Sequence, residues 1–337
     1  MRRCPCRSLG LRLAAIILAL GVSVVGAARP AAAQVRKVTE LTAAELRRLD
    51  RANTVVLLPG GILEEHGPYL PVYADGYLNE RLTDTLGQAI ARRPGWTVLR
   101  FPSIPLGNSG ANDVGGQFSF PGTYAVRLAT LRAVYMDLAD ELGAQGFRWI
   151  FVVHLHGAPN HSRALEQAGD YFHATYGGRM VHLAGLLPVF SAIEGPKSAA
   201  VRAQDGLPIH AGMDETSWML YLRPDLVRPG FRTATPQADT TMDGLVRRAM
   251  APAWPGYFGS PALATRAHGA VIWRAVSVTT VRTALAILDG ADPAAMPRLS
   301  AAMDASLVDV RLDAAAQRAE AARAERQQRW LWARGTP

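Results

Sequence analysis

The sequence predicts an α/β layered domain built on a mostly parallel central sheet, and three observations lead there. Short aliphatic and β-branched runs recur at Thr54–Leu58, Trp96–Phe101 and Trp149–Val153. Between them lie segments whose apolar residues return every three to four positions, the period of a helix face. The run Trp-Ile-Phe-Val-Val at 149–153 carries no polar residue, as expected of a strand buried on both sides in a parallel sheet.

Residues 1–33 stand apart from this pattern. Arg2, Arg3 and Arg7 precede an apolar run from Leu11 to Val25 that only Arg12 and small residues interrupt, and Ala31-Ala32-Ala33 follows. This is the order of a cleaved secretory signal peptide. The run is short for a bilayer span, which needs about 20 apolar residues. The expected location is therefore periplasmic or secreted, with no membrane contact after cleavage. The whole chain has 337 residues and a formal net charge of +8, but 1–33 holds five arginines and no acid. The mature chain carries 31 basic against 28 acidic side chains, so its charge gives no reason to expect nucleic acid as a partner. Both cysteines, Cys4 and Cys6, leave with the signal, so any metal must be held by His and carboxylates.

Thr54–Leu58 is expected as a buried strand ending at Pro59-Gly60-Gly61. Leu78, Leu82, Leu86 and Ile90 mark a helix over Gly76–Arg92, and Pro102 stops the strand Trp96–Phe101. Residues 102–122 are rich in Gly, Pro, Ser and Asn and form a long loop, a type that is often functional. A helix over Tyr124–Leu142 buries Leu128, Leu131, Tyr135, Leu138 and Leu142 and ends at Gly143 and Gly146. The strand at 149–153 leads into His154-Leu155-His156-Gly157, then a helix from His161 to Tyr176 and an apolar stretch from Met180 to Leu187. Residues 190–209 read as loop, Thr216–Tyr221 as helix and 228–260 as irregular. Ala314–Trp332 reads as a terminal amphipathic helix. No internal repeat is visible. One domain is expected over 34–310, followed by a helical tail over 311–337.

Three segments carry the residues of interest, each in a loop or at a strand end, where open α/β sheets bind ligands. The first is Glu64-Glu65-His66-Gly67-Pro68-Tyr69-Leu70-Pro71, with Asp75 nine residues after His66. Glu-x-His places two side chains on one side of an extended segment, and an imidazole with a carboxylate suits Zn, Mn or Fe. A polar loop with incidental His and Glu is the plainer alternative. In the second, His154-Leu155-His156, one histidine is a candidate ligand and the other a candidate for backbone hydrogen bonding. In the third, His210-Ala211-Gly212-Met213-Asp214-Glu215-Thr216-Ser217, Glu215 stands near a helix start, where the dipole alone favours a carboxylate.

Taken together, these motifs resemble the creatininase family. Gly61-x-x-Glu64-x-His66-Gly67-Pro68-x-Leu70-Pro71 followed by Asp75 is similar to that family's Glu-Gln-His-Gly-Pro-His-Leu-Pro and Asp. Phe120-Pro121-Gly122-Thr123 resembles its Pro-Gly-Thr element, and Gly146-Phe147-Arg148 leading to His154-Leu155-His156-Gly157 resembles its Gly-Phe-(Arg/Lys) and Asn-Gly-His-Gly-Gly-Asn. His210-Ala211-Gly212-x-x-Glu215-Thr216-Ser217 is similar to its His-Ala-Gly-x-x-Glu-Thr-Ser. The resemblance covers roughly residues 40–230. It implies a three-layer α/β/α creatininase-like fold, commonly assembled as a homohexamer. It also implies that Glu64, His66, Asp75 and His156 are metal ligands, that Asp75 bridges two ions, that Glu215 completes the site, and that His210 handles protons near the substrate.

The chain departs from the family in three places. His154-Leu155 replaces Asn-Gly, Ala158 stands where creatininase proper has a Glu two residues after the ligand histidine, and residues 190–209 lack the tryptophans of that loop. Creatinine itself is therefore not the expected substrate. The expected activity is metal-assisted hydrolysis of an amide C–N bond, in a small amide or short peptide, with one or two divalent ions (Zn, Mn or Fe) activating water. Glu65 or Glu215 would accept the water proton, His210 would protonate the leaving nitrogen, and Thr123, His154 and Asn160 would contact substrate. A metallopeptidase-like or deformylase-like hydrolase, or a secreted binding protein without turnover, are the alternatives. No Gly-x-Ser-x-Gly elbow is present to support a serine hydrolase.

Overall fold

The structure, a computed structural model, describes residues 34–336, so the expected signal peptide at 1–33 lies outside the described residues. Five strands form one sheet: β1 (Gln34–Lys37), β2 (Thr54–Pro59), β3 (Thr97–Arg100), β4 (Trp149–Val153) and β5 (Arg179–His182). Their order is β1-β3-β2-β4-β5 and every pairing is parallel. Eleven helices follow in chain order among the described residues. They are α1 (Ala43–Arg47), α2 (Ala74–Ala91), α3 (Leu128–Ala144), α4 (Pro159–Tyr176), α5 (Leu187–Phe190), α6 (Ala199–Asp205), α7 (Met213–Leu222), α8 (Met242–Ala249), α9 (Arg266–Leu288), α10 (Leu299–Asp304) and α11 (Leu307–Trp332).

Strand alternation generates the layers. Along β2, Val55 and Leu57 turn to one face and Val56 and Leu58 to the other, and all four are fully buried. The first face packs with Phe151 and Val153 of β4 against Leu78, Leu82 and Leu86 of α2, Trp218 and Met219 of α7, and Ile272 and Val276 of α9. The second packs with Ile150 and Val152 against Leu131, Tyr135 and Leu142 of α3 and Leu165 and Phe172 of α4. Helices on both faces of a parallel sheet make the predicted three-layer α/β/α architecture.

The expected strands and helices recur with boundaries shifted by a few residues, except in the second half of the chain. The stretch Met180–Leu187 divides into β5 and the short α5, and the expected loops hold α6 and α8. Helix α9 carries no strong periodic signal because its buried stripe uses Gly269, Thr280 and Ala284 beside Ile272, Val276 and Ile287, while Val271 and Val278 face solvent. Its length and apolar composition would also suit a bilayer span, yet that stripe packs against α2 and α7 in the outer layer. The small residues serve close approach: a Cβ on Gly269 would lie 1.9 Å from the Ser217 carbonyl oxygen on α7. Edge strand β1 was not signalled either, since its four residues pair through backbone alone and none is buried.

Candidate metal centre

The carboxyl ends of β2 and β4 open toward the same side of the sheet, and the three motif segments meet there. The loop after β2 brings Glu64 and His66, held by a hydrogen bond from the Glu64 amide to the Val72 carbonyl at 2.9 Å. The loop after β4 brings His156. Asp75 and Glu215 stand in the first turns of α2 and α7, where the positive helix ends favour carboxylates. His210 precedes α7.

Each of the three imidazoles has one nitrogen committed to a backbone carbonyl. His66 Nδ1 donates to Glu64 O at 3.0 Å, His156 Nε2 to Ser109 O at 2.6 Å, and His210 Nε2 to Glu65 O at 2.6 Å. This fixes the ring orientations and turns the other nitrogen toward a cluster of carboxylates. His156 Nδ1 lies 3.2 Å from both Glu64 Oε2 and Asp75 Oδ2. His66 Nε2 lies 3.4 Å from Asp75 Oδ1 and 3.6 Å from Glu215 Oε2. His210 Nδ1 lies 3.7 Å from Glu64 Oε1. Asp75 therefore offers one oxygen to each of two imidazoles.

Burial and charge pull against each other here. Burial pushes the His66 imidazole down, as does His210 beside it, but Asp75 and Glu215 outweigh both and hold it at about 9. Burial likewise opposes protonation of His156 and His210, yet the carboxylates around them, Glu64 foremost, raise both well above the ordinary value. For Glu64 and Asp75 burial works upward, and the facing histidines still hold both carboxyls below the usual range. Burial dominates at Glu215, whose carboxyl is raised.

The donor set fits a divalent cation. His66 Nε2 and Asp75 Oδ2 are buried without a hydrogen-bond partner, an arrangement that is costly unless an ion satisfies them. Glu64 with Asp75 and His156, His66 with Asp75 and Glu215, and Glu64 with His66 and His210 each place three ligand atoms within 4.8 Å of one another. Imidazole and carboxylate together suit Zn, Mn or Fe.

Two non-glycine residues with positive φ flank the cluster, Ser109 at 57° and Ala211 at 51°. Such conformations cost about 1–2 kcal/mol each. The Ser109 carbonyl accepts from His156, and the Ala211 amide donates to Glu215 Oε2 at 2.6 Å, so both strained peptides orient candidate ligands. Below α7, Lys197 is buried between Asp205 at 2.7 Å and Asp214 at 2.6 Å, and His268 contacts Asp214 at 2.7 Å. This ion cluster ties the segment before the His210 motif to α9.

The cluster forms the base of a cavity of about 270 Å³. Phe190, Ile193, Trp218, Met242, Met303 and Leu312 supply apolar wall. Asp113, Glu194, Asp309 and Asp313 supply further acids, and no Lys or Arg among the described residues lines the cavity. Burial pushes the Asp113 carboxyl up to about 7. None of these wall residues carries a signal in the sequence, because they are apolar or isolated acidic residues from distant segments.

Glu64, Asp75, His156, His210 and Glu215 face this cavity, with His66 packed behind them against the His210 ring at 4.4 Å. Four other expected site residues do not reach it. Glu65 turns the opposite way, accepting from the Gly67 amide at 3.1 Å, with Oε1 3.5 Å from His210 Nε2. The glycine at 256 makes room for it, since a Cβ there would lie 2.2 Å from Glu65 Oε2. Thr123 Oγ1 accepts from the Glu65 amide at 3.2 Å and donates to Asn112. His154 is buried against His161 and bonded to Leu106 O at 3.2 Å. Asn160 is buried among Arg163, Gln317 and Asp313. Thr123, His154 and Asn160, expected to contact substrate, make these internal bonds and do not line the cavity, because spacing along the chain does not tell which way a side chain turns.

A family model described as Creatininase, creatinine amidohydrolase, matches residues 39–284. The mycofactocin precursor peptide peptidase of Mycobacterium ulcerans is 28% identical over 227 residues, covering 64% of this chain and 78% of that protein. The creatinine amidohydrolase of Pseudomonas putida is 29% identical over 197 residues, covering 56% and 73%. Among solved structures, a creatininase with manganese shares the fold at a TM-score of 0.55 and 23% identity, covering 77% of this chain and 100% of the other.

Proposed function

The chain belongs to the creatininase family of metal-dependent amidohydrolases, and we propose that it cleaves the C–N bond of a small neutral or cationic amide seated in the cavity above Asp75. The observation that carries this reading is the pair of ligand groups sharing that one carboxylate. Glu64, Asp75 and His156 would hold one divalent ion, and His66, Asp75 and Glu215 a second. Bound there, such ions supply an acidified water and a polarising charge for the amide carbonyl. The manganese in the structural neighbour supports Mn among the candidates Zn, Mn and Fe.

His210 is placed to move a proton. With Nε2 committed to the Glu65 carbonyl, its Nδ1 faces the cavity, where a protonated ring could donate to a leaving nitrogen, and Glu65, outside the proposed ligand set, favours the charged ring. Of the two carboxylates considered as proton acceptors, Glu215 faces the cavity and Glu65 does not. Glu65 instead backs His210 and acts as a positioning residue. The acidic wall and the lack of Lys or Arg favour neutral or cationic substrates over carboxylates. A second reading, hydrolysis of a short peptide, draws on the relative from M. ulcerans, a peptide peptidase. The pattern at 1–33 supports an exported enzyme.

Metal content and amide turnover of the wild type, His156→Ala and His210→Asn test the proposal together. The wild type should retain one or two equivalents of Zn, Mn or Fe, and His156→Ala should lose them. His210→Asn should keep its metal while turnover falls by about 10²–10⁴-fold. Metal loss in His210→Asn would move that residue among the ligands, and a wild type that takes up no metal would end the hydrolase reading.

A further inference from the structure

Helices α10 and α11 lie beyond the span matched by the family, yet they build part of the cavity. Asp309, Leu312, Asp313 and Ala316 line it from successive turns of one face of α11, joined by Met303 of α10. The spacing i, i+3, i+4, i+7 makes this a continuous helical stripe.

The next turns of α11 are fastened to the body of the domain. Glu320 accepts from Asn108 Nδ2 through Oε1 and from the Leu128 amide at 2.9 Å through Oε2. Leu128 begins α3, so the carboxylate satisfies a free N–H at a positive helix end. Arg323 donates to Ala125 O at 3.0 Å, and Gln317 to Asn160 Oδ1 at 3.0 Å. Arg163 of α4 contacts Asn160 at 2.6 Å and Asp313 at 3.2 Å. Asn108, which receives the Glu320 tether, also offers its carbonyl to His156 Nε2 at 3.1 Å. One loop residue thus touches both the cap and a candidate ligand.

We propose that α11 is a tethered cap over the reaction cavity and limits its substrate to a compact amide, excluding chains that would run past Met303 and Leu312. This rests on the reading of the cavity as the site of hydrolysis. Polar tethers rather than a broad apolar seam hold the helix, and Glu320 and Arg323 can be replaced without changing any candidate ligand residue itself.

The cap is tested on the full mature chain, without reference to turnover, by thiol labelling. Ile193→Cys places a thiol in the cavity wall outside the ligand set, and residues 34–337 hold no other cysteine. N-ethylmaleimide and a maleimide bearing a long polyethylene glycol chain differ only in bulk. With the tethers intact, the bulky reagent should react far more slowly than the small one. Glu320→Ala with Arg323→Ala should speed the bulky reagent by about tenfold, equivalent to about 1.4 kcal/mol of lost tethering, and leave N-ethylmaleimide unchanged. Equal rates for the two reagents with the tethers intact, or no change on untethering, would overturn the cap. Leu312→Trp, which fills the cavity without touching the tethers, should slow both reagents. On metal-loaded enzyme the untethered variant should gain kcat/KM for longer amides only. If no amide is turned over at all, the hydrolase reading fails and the labelling rates still decide the cap.

Discussion

Asp75 shows how one residue joins two roles. Its oxygens face different imidazoles, so the carboxylate that helps Glu215 hold His66 charged, and helps Glu64 hold His156 charged, would be shared between two ions if both proposed ligand groups were filled. The consequence is a pH dependence of opposite sign in the two states. In the metal-free protein His66 titrates at about 9 rather than 6.5, so its contribution is full below pH 6.5 and is lost as pH rises through about 9. The shift corresponds to something on the order of 3 kcal/mol. Metal must displace that proton, so its affinity rises with pH over the same interval. Thermal unfolding at pH 6.5 and pH 9 should show the metal-free protein losing stability while the stabilisation by metal grows. A stabilisation by metal that stays level between the two would contradict this account. At this scale the sequence was informative: the residue types and their motif order name every member of the cluster. It also pointed to Glu65 and Asn160 as site residues, and their side chains instead bond the Gly67 amide and Arg163 away from the cavity, a direction that spacing along the chain does not record.

Among the elements, α7 depends on charge rather than on its own sequence. Its first turn holds Asp214 and Glu215 with no side-chain cap, and Lys197 from the preceding segment neutralises Asp214 and Asp205. Removing one partner of a buried ion pair leaves an uncompensated charge and costs about 3–5 kcal/mol. Lys197→Met should therefore unfold at markedly lower urea, and it should also loosen His210. A loss below about 1 kcal/mol, the range of exposed pairs, would show that water reaches this cluster. Periodicity found α2, α3 and α4 because large aliphatic residues mark their buried faces. It missed α9, whose buried face includes Gly269, Thr280 and Ala284, small enough for the approach to α7 but weak as a hydrophobic signal.

Over the whole molecule, residues 34–337 carry 31 basic against 28 acidic side chains while the cavity is acidic, so electrostatics at the site differ from those of the surface. Ala31-Ala32-Ala33 precedes Gln34, the first residue of β1. Cleavage after Ala33 would leave the five-stranded sheet whole, and the intact mass of exported protein should correspond to a chain starting at Gln34. A mass retaining residues 1–33 would refute export by cleavage. The sequence by itself determined the layer architecture and the ligand types, because buried parallel strands and metal ligands both demand particular residues in particular short segments. Only the tertiary structure decided what surrounds those candidate ligands. The cavity wall, the burial of His154 and the fastening of α11 by Glu320 to Asn108 and the first turn of α3 join residues far apart in the chain. Such contacts are set by packing between elements, and no local pattern of residues records them.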